Sequence, residues 1–411
     1  MKILVLNSGS SSQKSCLYDL GESLPEDPPA PLWQGEIEFD GTEASLRIRT
    51  SQGGHFEEKV RFESRGRATA RLLEQLWSGP ACVIKSHSEV DIVGHRIVNG
   101  GRSYLEPSFV TRELKAAIEK AAVLAPLHNR LELDGIKAIE EQLGPVSQVA
   151  VFDTAFHSHL PESAAVYPGP YEWYEQGIRR FGFHGINHQY CAGRAAQLLR
   201  KELRSLRLVT CHLGNGCSLA AIRDGRSVDT TMGFTPLEGL MMGTRSGSVD
   251  PGILTYLMRS RNLGGEQMDE MLNKHSGLLG ISGISGDMRE IVAAMAQGNA
   301  RSKLAFDIFV HRLISCIGSM AAVLGGMDAL VFTAGIGENS PEVREAACSS
   351  LGFLGLALDP QQNAKVTADT EISSAESRVH VLVVRAQEDW AIARECWKLA
   401  SARIRSSSQS V

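Results

Sequence analysis

Apolar and polar positions alternate in blocks from the first residues. Positions 2–6 form a short run of β-forming residues, 7–12 are polar and rich in hydroxyls, and 14–18 form a second candidate strand, a spacing that predicts a hairpin. After a segment holding Pro25, Pro28, Pro29 and Pro31, three alternating stretches near 35–39, 45–49 and 58–62 predict a small meander. Apolar residues recur at helical spacing over 112–124, before Pro126, and over 131–143, before Gly144. A longer, more apolar helix is predicted over 303–324, stopped by Gly325 and Gly326. Strands and helices alternate thereafter, so the pattern favours an α/β architecture.

The first hairpin has an echo. Residues 206–224 repeat the order of apolar strand, polar Gly-containing turn and apolar strand, with Gly9 opposite Gly216 at an offset of 207. A second echo pairs Asp91-Ile-Val-Gly with Asp328-Ala-Leu-Val. The offset is about half the chain, which predicts a duplicated domain with a cleft between the copies. Chance similarity of short apolar hairpins is the competing explanation.

Composition narrows the function classes. Of 411 residues, 42 are Lys or Arg and 47 Asp or Glu, a balance of −5, and no stretch concentrates positive charge, so a nucleic-acid partner is disfavoured. Hydrophobic residues at 43% and charged residues at 22% are the usage of a folded globular chain. The apolar stretch 320–336 is broken by Gly325, Gly326 and Asp328, so no membrane span is expected. The N-terminal apolar run is too short for a signal peptide, and the eight cysteines show no C-x-x-C; free thiols in a reducing cytoplasm are expected.

Three tips rich in Gly, Asn and hydroxyls suit phosphates: 7–14, 212–218 and 333–340. None is a P-loop or a dinucleotide fingerprint, and each alone also reads as an ordinary turn. Arg96 ends an apolar run and Arg245 lies in a Gly-flanked loop, where a guanidinium either forks onto carboxylate or phosphoryl oxygens or forms a surface ion pair. His184 and His188 sit four apart with no Glu between them, which argues against zinc. One of the pair is a candidate donor to developing negative charge and the other a structural histidine, while His128 and His212 read as either scaffold or site. Asp153 and Glu388 follow apolar strands, where hard oxygens suit Mg²⁺ with substrate phosphates, although Asp153 could equally cap a helix.

Read together, these stretches resemble the acetate kinase family of the actin, hexokinase and Hsp70 superfamily. The resemblance runs through 4–14, Gly94-His-Arg-Ile-Val98, 124–129, Phe152-Asp-Thr-Ala-Phe-His157, Phe183-His-Gly185, 212–218, 234–247, 276–283 and 332–340. It implies an α/β fold of two duplicated actin-like (ribonuclease H-like) domains with an interdomain active-site cleft. One domain would comprise 1–154 with 385–411, and the nucleotide-binding one 155–384. It implies reversible transfer of the ATP γ-phosphoryl group to acetate, giving acetyl phosphate and ADP, with Mg²⁺ or Mn²⁺, in a cytoplasmic homodimer. By position, Asp153, His184, Arg245, Arg96 and Glu388 would be catalytic, and Arg96, Val98, Leu127, Phe183 and Pro236 would hold the substrate. ATP would meet Ser10, Ser12, Lys14, His212, Leu213, Gly214, Asn215, Gly216, Asp287, Met288, Arg289, Gly335, Ile336, Gly337 and Asn339. Asn7 and Glu388 would bind the metal.

The chain also departs from the family pattern. Asn99 stands where the family usually has His, Arg130-Leu-Glu132 where it has Pro-Ala-Asn, and Arg385-Ala-Gln precedes Glu388. The segment 246–250 lacks an acid common just after its glycine. A propionate or butyrate kinase of the same fold, or a nucleotide-binding relative without turnover, are the rival readings.

Overall fold

A computed structural model describes residues 1–9, 12–121, 126–367 and 369–408, apart from the side chains of 126–129 and 407–408. The chain divides into two compact units, Met1–Ala155 with Gln387–Val411, and Phe156–Ala386. The first is built on β1 (Lys2–Ser8), β2 (Ser12–Asp19), β3 (Trp33–Asp40), β4 (Glu43–Thr50), β5 (His55–Arg61), β6 (Ile92–Ile97), β7 (Ser108–Phe109) and β8 (Ser147–Phe152). These lie in the order β5-β4-β3-β2-β1-β6-β8-β7. The second unit is built on β9 (Leu208–Leu213), β10 (Cys217–Arg223), β11 (Arg226–Thr230), β12 (Ala329–Thr333), β13 (Thr370–Glu371) and β14 (His380–Val383), ordered β11-β10-β9-β12-β14-β13.

The duplication is visible in the pairing. In the first sheet β1 pairs antiparallel with β2 and parallel with β6, which pairs parallel with β8. In the second, β9 pairs antiparallel with β10 and parallel with β12, which pairs parallel with β14. Both echoes in the sequence are thus matched strands, β1–β2 with β9–β10 and β6 with β12. The predicted α/β class and the meander, β3–β5, are found.

Parallel central strands are covered on both faces, which is why β1 reads as an unbroken apolar run. Leu4 and Leu6 pack with Ile139 and Leu143 of helix Pro126–Leu143. On the other face Gly94 lets helix Glu388–Ser408 approach, since a Cβ there would lie 2.6 Å from Cys396 Sγ and 2.7 Å from Ile392 Cγ2. Helix Pro126–Leu143 starts five residues before the apolar period, because proline is tolerated in a first turn. The first expected helix is found as Arg112–Ala121; residues 122–124 of the expected segment lie outside the described residues.

Two expected tips differ. Asn7 and Lys14 face each other across the ladder, so they belong to strands and the turn is shorter than 7–14. Residues 333–340 are not a hairpin tip: β12 runs directly into helix Ala334–Asn339, with Ala334 at φ 65°. Helix Ala300–Leu324 is, by length and composition alone, apolar enough to cross a membrane, a test that the core helix of a folded domain also passes. It buries Phe306, Phe309, Leu313 and Ile317 in the second unit.

Candidate active site

Parallel strands deliver their C-terminal residues to one edge of the first sheet. Asn7, Arg96 and Asp153 come from the ends of β1, β6 and β8, and Glu388 opens the helix Glu388–Ser408. They form one cluster. Asp153 Oδ2 accepts from Arg96 Nε at 3.1 Å and Nη2 at 2.5 Å, Arg96 Nη1 donates to Asn7 Oδ1 at 3.4 Å, and Glu388 Oε2 lies 4.0 Å from Arg96 Nε. Asn7 Nδ2 donates at 3.1 Å both to Glu388 Oε2 and to Asp389 Oδ1. With Arg96 14% exposed and Asp153 1%, this is a buried pair rather than a surface one. Burial alone would lower the Arg96 pKa, but Asp153 and Glu388 outweigh it and raise it. Withdrawal from solvent raises Asp389, with Glu388 adding to the effect and Asn7 opposing it.

Beneath this cluster lies a carboxylate, Glu132, that sequence reading noted as a departure from the family pattern without giving it a role in the site. Both oxygens of Glu132, 2% exposed, receive the Val98 N–H, at 3.0 and 3.1 Å. Burial pushes Glu132 up to about 8, against the pull of that N–H and of Arg96. Val98 is buried, and next to it buried Asn99 accepts the Gly101 N–H at 2.8 Å.

In the second unit the β9–β10 tip carries Gly214, Asn215 and Gly216, and a Cβ on Gly216 would lie 3.4 Å from Arg245 Nη1 and 3.5 Å from His184 Nε2. Arg and His therefore converge on one bare stretch of backbone. Arg245 is held by the Pro236 carbonyl at 3.0 Å. His184 sits in the left-handed region, φ 57°, just before helix Gly185–Leu199, a conformation a non-glycine residue adopts at some cost in strain. Its Nδ1 lies 2.9 Å from Ser218 Oγ, and its ring stacks on His212 with centroids 3.9 Å apart. His188, one turn along, is buried against Ser218 and Thr210. Phe183, buried, immediately precedes His184, and its carbonyl accepts from His157 Nε2 at 3.1 Å.

Beside this tip lies a cavity of about 780 Å³, within the range of small-molecule sites. Gly214, Asn215, Asp287, Met288, Arg289, Gly335, Ile336 and Asn339 line it, with Ser340 at the end of the 333–340 segment, joined by Gly286, Val292 and Glu342, which sequence reading missed. Asp287 caps helix Met288–Ala296 and pairs with Arg289 at 2.6 Å. His212, Leu213, Gly216 and Gly337 are not among its lining residues. Ser12 and Lys14 are on β2 of the first unit; Ser10 lies outside the described residues, as does the side chain of Leu127. Among the described residues no group of three His, Cys, Asp or Glu side chains could hold a metal ion. The Asn7 amide oxygen and the Glu388 carboxylate are nonetheless hard donors of the kind Mg²⁺ uses with substrate phosphates.

Known structures of the same architecture establish the class. The crystal structure of Porphyromonas gingivalis acetate kinase matches with a TM-score of 0.89 at 40% identity, covering 97% of this chain and 99% of that one. That of a propionate kinase from Francisella tularensis matches with a TM-score of 0.88 at 35% identity and the same coverage. This chain is a two-unit α/β kinase. The acetokinase family profile matches residues 2–394. Proteins named acetate kinase from Gloeobacter violaceus and Trichormus variabilis are 59% and 56% identical over 402 residues, 97% of this chain and 99% of each relative. The chain belongs to the acetokinase family, and so to the nucleotide-dependent kinases that need a divalent metal.

Proposed function

We propose that the chain transfers the γ-phosphoryl group of ATP reversibly to acetate, giving acetyl phosphate and ADP. The observation that carries this reading is the convergence of Arg245 and His184 on Gly216, next to Gly214 and Asn215 of the cavity lining. Adenosine would occupy that cavity, with phosphates along 212–216 and Ser10, Ser12 and Lys14 as further donors. Phosphoryl transfer asks mainly for alignment and charge neutralisation over equatorial oxygens. Arg245 and Arg96 supply the charge, His184 donates a hydrogen bond, and Asp153 orients the Arg96 fork. Val98, Leu127, Phe183 and Pro236 would close around one methyl group.

Glu388 with Asn7 would hold Mg²⁺, or Mn²⁺, whose charge would neutralise phosphate oxygens. The working form is a cytoplasmic homodimer. Helix Pro251–Arg261 supports it, for it buries none of its residues and leaves Ile253 and Tyr256 48% and 67% exposed. Sedimentation at twice the 44.6 kDa chain mass is expected. The names of the close relatives favour acetate over propionate as acceptor. Acyl phosphate trapped with hydroxylamine tests this over acetate, propionate and butyrate. A fitting methylene gains about 0.8 kcal/mol and a clash costs on the order of 1–3 kcal/mol, so kcat/KM should fall modestly to propionate and strongly to butyrate. Val98→Ala should flatten that order. Butyrate leading in the wild type, or an unchanged order in Val98→Ala, would reject the pocket.

A further inference from the structure

The hydrogen bonds behind His184 determine which of its ring nitrogens carries the proton. Thr210 of β9 is buried, and among the described residues its hydroxyl has one hydrogen-bond partner, His188 Nδ1 at 2.7 Å. If that hydroxyl accepted from His188, its own proton would be left unpaired in a dry site, a costly arrangement. Thr210 therefore donates and His188 Nδ1 accepts. Burial holds His188 well below the usual histidine range, with His157 and His212 adding to the effect, so the ring carries a single proton. With Nδ1 accepting, that proton is on Nε2.

His188 Nε2 lies 2.7 Å from Ser218 Oγ, and the Ser218 hydroxyl has one proton to place. Since it accepts from His188, it donates to its other partner, His184 Nδ1, at 2.9 Å. A neutral His184 must then keep its proton on Nε2, the nitrogen beside Gly216 and across from Arg245. The same logic holds for its neighbour: Asn187 Nδ2 lies 2.8 Å from His212 Nδ1 and donates to it, which leaves the His212 proton on Nε2 as well.

We propose that Thr210, His188 and Ser218 are positioning residues, a one-way chain of hydrogen bonds that holds neutral His184 as an Nε2–H donor toward the Gly216 corner. The proposal rests on the reading of that corner as the phosphoryl site, where a preset donor needs no rearrangement at the moment of transfer. Ser218, the stacked His212 and, around Gly216, Arg245 are among the groups facing His184.

The test is spectroscopic and uses the full chain with ¹⁵N-labelled histidine. Two-bond ¹H–¹⁵N correlation near pH 8, assigned by difference with His184→Gln and His188→Gln, distinguishes a protonated from a bare ring nitrogen. Both rings should show a protonated Nε2 and a bare Nδ1. Thr210→Val should turn His184 into a mixture of tautomers and lower kcat by roughly 10- to 100-fold, the scale of losing a partner that orients a ligand side chain, with KM for ATP and acetate unchanged. Thr210→Ser should restore both. Should Thr210→Val fold poorly, Ser218→Ala removes the hydroxyl that donates directly to His184 Nδ1 and should show the same split. A protonated Nδ1 on His184 in the wild type, or wild-type spectrum and kcat in a folded Thr210→Val or Ser218→Ala, overturns the proposal. Failure of the wild type to make acyl phosphate while His184 shows the Nε2 proton would instead reject the proposed function and leave the hydrogen-bond chain standing.

Discussion

Arg96 and Arg245 carry the same charge in different settings, and their removal should be read differently. Arg96 is paired with Asp153, which is 1% exposed, so Arg96→Ala strands a buried carboxylate. We expect a loss of about 3–5 kcal/mol of stability besides the loss of turnover. Arg245 is held by a backbone carbonyl, so Arg245→Ala should fold normally and lose about 10²- to 10³-fold in kcat, the scale of one charge-stabilising donor. Thermal melts beside kinetics separate the two cases, and full activity in folded forms of both would refute the assignment. Glu132 supplies a pH signature. Its carboxyl is raised from 4.5 to about 8, so between those values the folded chain keeps a proton that the unfolded chain has lost, and stability falls as pH rises through the window. Glu132→Gln removes that proton, so the Tm of the variant relative to wild type should climb from about pH 5 to about pH 8; a constant difference would show that Glu132 ionises normally. Asn7, Arg96 and Asp153 are legible in the sequence because each follows an apolar run that ends at a strand terminus. Glu132 and Asp389 are not, since an acid inside a helical pattern reads as a solvent-facing position until the neighbouring strand end is known.

At the scale of elements, glycines separate approach from room. A Cβ on Gly243 would lie 2.2 Å from Asn215 Oδ1, so Gly243→Ala should displace the tip and lower both Tm and kcat. A Cβ on Gly335 meets nothing within 4 Å, although Gly335 lines the cavity. Gly335→Val should therefore leave Tm unchanged and raise KM for ATP; an unchanged KM would mean that adenosine lies elsewhere. The hairpins β1–β2 and β9–β10 are predictable because apolar runs flank a polar turn. The segment 333–340 has the same Gly, Asn and hydroxyl content, yet it leads from strand to helix. Composition marks a tight turn, but the direction in which the chain leaves it depends on the packing of the next element.

For the molecule as a whole, duplication is the feature that sequence carries furthest. Both echoes correspond to strands in equivalent places of two sheets with the same pairing pattern, because central strands of each sheet must be apolar on both faces. Helix Ala300–Leu324 shows the opposite limit, since its apolar residues alone do not distinguish a core helix from a membrane span. The proposed transfer would draw on Asn7, Arg96, Asp153 and Glu388 of one unit and on His184, Arg245 and the cavity lining of the other. The most direct measurement is ³¹P NMR of the purified chain with ATP, Mg²⁺ and acetate. The account predicts that ADP and an acyl phosphate resonance grow in equal amounts and that ATP returns when acetyl phosphate and ADP are supplied. ATP converted to ADP and inorganic phosphate with no acyl phosphate, or ATP left unchanged, would contradict it.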